Sequence, residues 1–194
     1  MRFVLATDGG AFKHKQDKGF DSVSAFQMYE NGKLVYKEAL LLEDKTSNYA
    51  EIYAIFRAMK SINSYLQNSG IRKCEVYLIT DSELCFKSLT VWMRDWLNKS
   101  DGLTLYNSSK KPVINQEVMK MAYINMLELQ TLCKFKLCHI NSHETANNIE
   151  KLRKKFNKVN KLKFTEEEFE LIYIANYECD KMVKDTYNKY SNKK

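Results

Sequence analysis

The stretch "FVLATDGG", residues 3–10, is an apolar run that stops at a carboxylate followed by two glycines. Its length and Val/Leu content read as a buried strand, and Gly9–Gly10 reads as a tight exit from it. Asp8 is then either a turn residue, since Asp-Gly is among the commonest turn signals, or a functional group at a strand end. The pattern repeats at "CEVYLIT", residues 74–80, a β-branched and aromatic run that stops at a second carboxylate, Asp81.

The rest of the chain supplies the frame for these two strands. Residues 22–42 form two alternating runs around Asn31-Gly32, the strongest short hairpin signal, so three antiparallel strands open the fold. From Ser47 to Ser69, Ile52, Ile55, Phe56, Met59, Ile62 and Leu66 recur at helical spacing, and Gly70 sits where a helix stops. Residues 82–97 and 116–129 are helical, residues 98–112 a loop, and "CKFKLCHI", residues 133–140, a fifth strand. Thr165 and Glu168 form a capping box that opens a long last helix. This order implies an α/β fold, a mixed sheet with helices on its faces.

The 194 residues, 44% hydrophobic and 28% charged, describe one globular domain spanning residues 1–194. The opening run is too short for a signal peptide and no later run approaches a membrane span, so the expected location is cytoplasmic, with no membrane partner. Five cysteines without a C-x-x-C spacing read as reduced, buried thiols rather than a disulfide framework or zinc site. The net charge of +7 favours a polyanionic partner.

Four carboxylates stand out by position: Asp8 and Asp81 at strand ends, Glu51 early in the first helix, and Asp180 in the last. Right-handed crossovers place strands one and four side by side and parallel, so Asp8 and Asp81 emerge together, with Glu51 facing them. Two unit charges about 4 Å apart repel by about 4 kcal/mol at an effective dielectric near 20. A cation is therefore required, and no cationic side chain is expected among the four. Oxygen-only donors suit Mg²⁺, with Mn²⁺ as a substitute, and four carboxylates can hold two ions in the arrangement used for phosphodiester cleavage.

At these residues the sequence resembles type 1 ribonuclease H. The resemblance runs in order through "TDGG" at Asp8, "TSNYAE" ending at Glu51, "ITDSELCFKSLTVWMRDW" around Asp81, "KKPVIN" at 110–115, "INSH" ending at His143 and "NYECD" ending at Asp180. It implies a ribonuclease H-like fold with sheet order 3-2-1-4-5. It also implies a monomeric endonuclease that hydrolyses the RNA strand of RNA–DNA hybrids with two metal ions, leaving 5′-phosphate and 3′-hydroxyl ends. Asp8, Glu51, Asp81 and Asp180 become the metal-binding carboxylates, and His143 a helper in proton transfer or product departure. Thr46 and Asn48 fall at contacts to a DNA phosphate and the minor groove, Trp92 and Trp96 on the helix before the family's basic protrusion, and Lys110 and Lys111 near its end.

The chain also departs from the family pattern. The Gly-rich loop after strand one is replaced by "AFKHKQDKGFD", Glu83 stands where Gln is usual, and the protrusion carries few cations. The stretch between His143 and Asp180 is much longer than in the bacterial pattern, a basic helical insertion at about residues 144–175. Its Lys154, Lys155 and Lys158 read either as a nucleic-acid handle or as a solvated face, with Leu152, Phe156, Val159 and Leu162 docking the helix. Alternatives to the ribonuclease are a catalytically silent nucleic-acid-binding module and another nuclease of the same superfold.

Overall fold

The computed structural model describes residues 1–13, 19–141 and 149–191. Five strands form one sheet in the order β3-β2-β1-β4-β5, with β1 at Arg2–Lys13, β2 at Phe20–Glu30, β3 at Lys33–Leu42, β4 at Glu75–Thr80 and β5 at Lys134–His139. The first three pair antiparallel, while β4 runs parallel to β1, from Arg2↔Glu75 to Thr7↔Thr80, and β5 runs parallel to β4. The Asn31-Gly32 turn takes positive φ at both positions, 47° and 84°, the backbone that a two-residue hairpin demands.

Alternation along the central strands divides the core. Phe3 and Leu5 of β1, with Val76 and Leu78 of β4, point to one face and pack on helix α1 (Ser47–Ser69) and helix α4 (Gln116–Leu132). Val4 and Ala6, with Tyr77 and Ile79, point to the other and pack on α5 (Ile149–Asn160) and α6 (Glu166–Ser191). Each of these strand side chains is thus consumed by one layer or the other, and the place where the pairing of β1 with β4 stops, after Thr7 and Thr80, is left for chemistry.

Helix boundaries follow their caps. Thr46 caps α1 by accepting the Tyr49 N–H, and Gly70 ends it at φ 68°. The capping box forms as expected, with Thr165 N donating to the Glu168 carboxylate at 2.9 Å and Glu168 N donating to Thr165 Oγ1 at 3.3 Å. The helical stretch after β4 is not uniform: α2 (Glu83–Lys87) passes through a π-helical turn at Ser88–Trp92 into α3 (Met93–Lys99). One widened turn re-phases the helix, burying Leu89 and Met93 while leaving Val91 58% exposed.

Two expectations are corrected. Gly9 and Gly10 do not end the strand: β1 continues to Lys13, pairing Gly9 with Ser24 and Gly10 with Val23. In α5, Leu152 and Phe156 are buried, but Val159 is exposed and Asn160 turns inward. Asn160 accepts from His139 N and donates to His139 O, both at 2.9 Å, so an amide occupies the free edge of β5 as another strand would.

Candidate active site

Asp8 follows the last paired residues of β1 and β4, Thr7↔Thr80, by one step, and Asp81 follows them on the neighbouring strand. Parallel pairing therefore delivers the two carboxylates at one edge of the sheet. Gly9 explains how Glu51 joins them. A Cβ on Gly9 would lie 2.3 Å from the Glu51 backbone nitrogen and 2.5 Å from the Ala50 carbonyl carbon, so the missing side chain lets α1 rest on β1 beside Asp8. Ser47 Oγ also donates to Gly9 O at 3.4 Å. From the opposite face, Cys179 on α6 is buried with its thiol donating toward Ala6 O and Ala25 O, which sets the next residue, Asp180, against the same edge.

The electrostatics record this convergence. Burial pushes the Asp8 carboxyl up to about 7, the negative charges of Asp81, Asp180 and Glu51 push the same way, and the Gly9 N–H donating to Oδ1 at 2.8 Å opposes them. Burial also raises Glu51, with Asp81 adding to it, against hydrogen bonds from Ser82 Oγ at 2.5 Å and Cys85 Sγ at 3.8 Å. The buried Cys179 thiol is raised well above its ordinary value by burial and by Asp8, Asp81 and Asp180.

Among the described residues, no three His, Cys, Asp or Glu side chains are gathered closely enough to hold a metal as they stand. The donor chemistry nonetheless fits a hard divalent cation. The four expected carboxylates offer oxygen donors, and the raised carboxyls of Asp8 and Glu51 carry the desolvation and repulsion that a bound cation relieves. One expectation fails here: Lys184, one turn beyond Asp180 on α6, places its ammonium 2.6 Å from Asp180 Oδ2. The i,i+4 spacing was readable in the sequence, whereas the bonds of Ser82 and Cys85 to Glu51 depend on packing that no local pattern reveals.

The remaining expected site residues divide by place. Thr46 and Asn48 are exposed at the α1 amino terminus. The Trp92 and Trp96 rings lie 5.8 Å apart, with Trp96 packed on the core edge. Lys110 and Lys111 are exposed on a turn held by Asn107 Oδ1, which accepts from Ser109 N and Lys111 N. Lys154 pairs with Glu150 at 3.2 Å, Lys158 is exposed, and Lys155 lines a cavity of about 520 Å³ whose wall also includes Asp81. Glu83 pairs with Lys87 at 2.7 Å, which offsets its charge. His143, the first residues of the insertion and residues 14–18 of the replaced loop lie outside the described residues. No described helix is long and apolar enough to cross a membrane.

This strand order and helix placement are shared with solved RNase H domains. The PFV RNase H domain superposes with a TM-score of 0.55 at 21% identity, covering 82% of this chain and 89% of that one. The foamy viral protease-reverse transcriptase in complex with RNA/DNA hybrid superposes at 0.58 and 22% identity, covering 82% of this chain and 19% of that one. The sequence model of the RNase H family matches residues 1–158, and the chain belongs to the RNase H family. Ribonuclease H of Geotalea uraniireducens is 32% identical over 100 residues, 52% of this chain and 57% of that protein, so the match spans less than two thirds of that relative's length. Asp180 lies beyond the residues that the family model matches, and its place rests on the packing of α6.

Proposed function

We propose that this chain is a divalent-metal-dependent endoribonuclease that cuts the RNA strand of RNA–DNA hybrids. The observation that carries the reading is the convergence of carboxylates from β1, α1, the end of β4 and α6, with Asp8 feeling the other three. Family membership supports ribonuclease H chemistry, and the hybrid bound by the foamy viral neighbour supports the substrate class.

Two divalent cations, Mg²⁺ or Mn²⁺, held by Asp8, Glu51, Asp81 and Asp180 would supply an activated water and neutralise the departing 3′ oxygen, leaving 5′-phosphate and 3′-hydroxyl ends. The chain's own part is positional. The Gly9 N–H fixes one oxygen of Asp8, and Ser82 fixes one oxygen of Glu51. His143, which follows β5 in the sequence, assists proton transfer. Thr46 and Asn48 receive the DNA strand beside Glu51, Trp92 and Trp96 with Lys110 and Lys111 bear on the same strand farther out, and Lys154, Lys155 and Lys158 provide a second cationic surface. The 2′-hydroxyl identifies the strand to be cut. We read residues 1–194 as one domain in which α5 and the first turns of α6 form the insertion.

The test is a panel of labelled hybrid, RNA duplex, DNA duplex and single strands, each with Mg²⁺, Mn²⁺ or EDTA. Metal-dependent cleavage confined to the RNA of the hybrid is expected. An inert hybrid in both metals, or equal cleavage of duplex DNA, contradicts the reading.

A further inference from the structure

The opposite end of the sheet from the carboxylates holds a cavity of about 1090 Å³, and two thiols, Cys74 and Cys133, line it. Cys74 immediately precedes β4 and Cys133 immediately precedes β5, and the first residues of those strands, Glu75 and Lys134, are paired in register. Lys134 N donates to Cys74 O at 3.1 Å, while Cys133, extended at φ −153° and ψ 173°, gives its own N–H to Leu129 O at the end of α4, so the two cysteines sit side by side one residue before the first paired residues of β4 and β5. Residues facing each other across neighbouring strands are about 4.8 Å apart, inside the Cα separation of about 4.4–6.8 Å that a disulfide spans. Register partners point to the same face, and both residues belong to the core layer under α1 and α4. The Cys133 thiol donates to Leu129 O at 3.3 Å, and the two thiols are near enough to influence each other's ionisation.

We propose that Cys74 and Cys133 are a modification site: a vicinal thiol pair that closes to an intramolecular disulfide by exchange with a low-molecular-weight disulfide entering the cavity. Cys133 is half-buried and Cys74 only 7% exposed, so Cys133 reacts first. Its sulfur, giving up a proton, attacks one sulfur of the incoming disulfide, forming a mixed disulfide and releasing one thiol. Cys74, giving up its proton, attacks the Cys133 sulfur and releases the second thiol. The protein loses two protons and two electrons, and the small disulfide gains both. Burial raises both protein thiols, Cys133 to about 12, which makes the first attack slow and favours alkaline conditions. The remaining cysteines are fully buried, Cys85 against Glu51 in the same core layer and Cys138 and Cys179 in the layer on the other side of the sheet.

The experiment is incubation of the folded chain with oxidised glutathione at mildly alkaline pH, followed by intact mass and peptide mapping. Expected are the loss of two hydrogen masses without a retained adduct, a Cys74–Cys133 linked peptide, and reversal by dithiothreitol. In Cys74→Ser the reaction stops at a glutathione adduct on Cys133, and Cys133→Ser forms no disulfide. Absence of any mass change, a persistent wild-type adduct or a link between other cysteines overturns the proposal. So does a melting temperature lower in the oxidised than in the reduced protein, because a bond that fits the native register does not strain it.

Discussion

The two ends of the central strands use the same residue types to opposite effect. At the end where β4 starts, Arg2 reaches Glu75 and Glu168, Lys134 reaches Glu75 at 2.5 Å, and the guanidinium lies 5.7 Å and 5.4 Å from the Tyr77 and Phe164 ring centres. Lys134 and Arg2 hold Glu75 below the usual carboxylate range. Burial pushes Glu168 upward, but the Thr165 N–H and Arg2 together outweigh it and leave this carboxyl lowered as well. At the other end Asp8 is driven to about 7 and Glu51 upward, chiefly by burial and then by their acidic neighbours. An acid that serves stability is given a cation by the fold. At the carboxylate end Asp180 has Lys184 beside it, yet Asp8 and Glu51 keep raised carboxyls, the kind of perturbed ionisation that concentrates in enzyme sites.

This contrast can be broken at either end. The largest effect is expected from Asp8→Asn or Asp81→Asn, which should lower hybrid cleavage by about 10³-fold or more, since several kcal/mol of charge stabilisation are removed. Circular dichroism should show an unchanged fold, and full cleavage by either variant in Mg²⁺ would remove the metal assignment. His143→Ala should slow turnover by about 10²-fold or less, the range of a proton-transfer helper, with metal affinity by calorimetry unchanged.

Joint replacement of Lys154, Lys155 and Lys158 by Gln should weaken hybrid binding and reduce the log-log salt slope by about 0.7 to 0.9 for each phosphate that the variant no longer neutralises. Parallel salt lines for wild type and variant would make α5 a solvated face. At the paired end, Arg2→Ala should cost only about 1 kcal/mol by chemical denaturation, because these groups are partly exposed, and should leave cleavage at permissive temperature intact. The lowered carboxyls of Glu75 and Glu168 contribute stability that is present above their ordinary values and lost as pH falls through the lowered ones, so this variant should also be less sensitive to acid.

Much of the contrast was legible in the sequence. Asp8 and Asp81 declared themselves because each ends an apolar run, and Asn31-Gly32, Gly70 and the Thr165–Glu168 box are local signals whose chemistry acts within a few residues. What escaped is set by packing. Gly9 looked like a turn because a glycine needed for close approach to α1 has the same letter as one needed for positive φ. The π turn at Ser88–Trp92 was hidden because widening one turn leaves an apolar pattern that still reads as helical on either side. Asn160 could not be distinguished from a surface residue without the free edge of β5, and the Arg2 cluster joins residues from both ends of the chain.

The most direct test is a carbon-13 NMR titration of the Asp8 carboxyl in the metal-free protein, repeated with saturating Mg²⁺. The metal-free carboxyl should titrate near 7. Because the folded protein then binds more protons than the unfolded chain between about pH 4 and pH 7, metal-free stability should fall as pH rises through that window, and Asp8→Asn should flatten the fall. Mg²⁺ should move the titration well below 7. An Asp8 that titrates near 4 without metal, or one that Mg²⁺ leaves unmoved, would contradict the claim that this end of the sheet is built to receive cations.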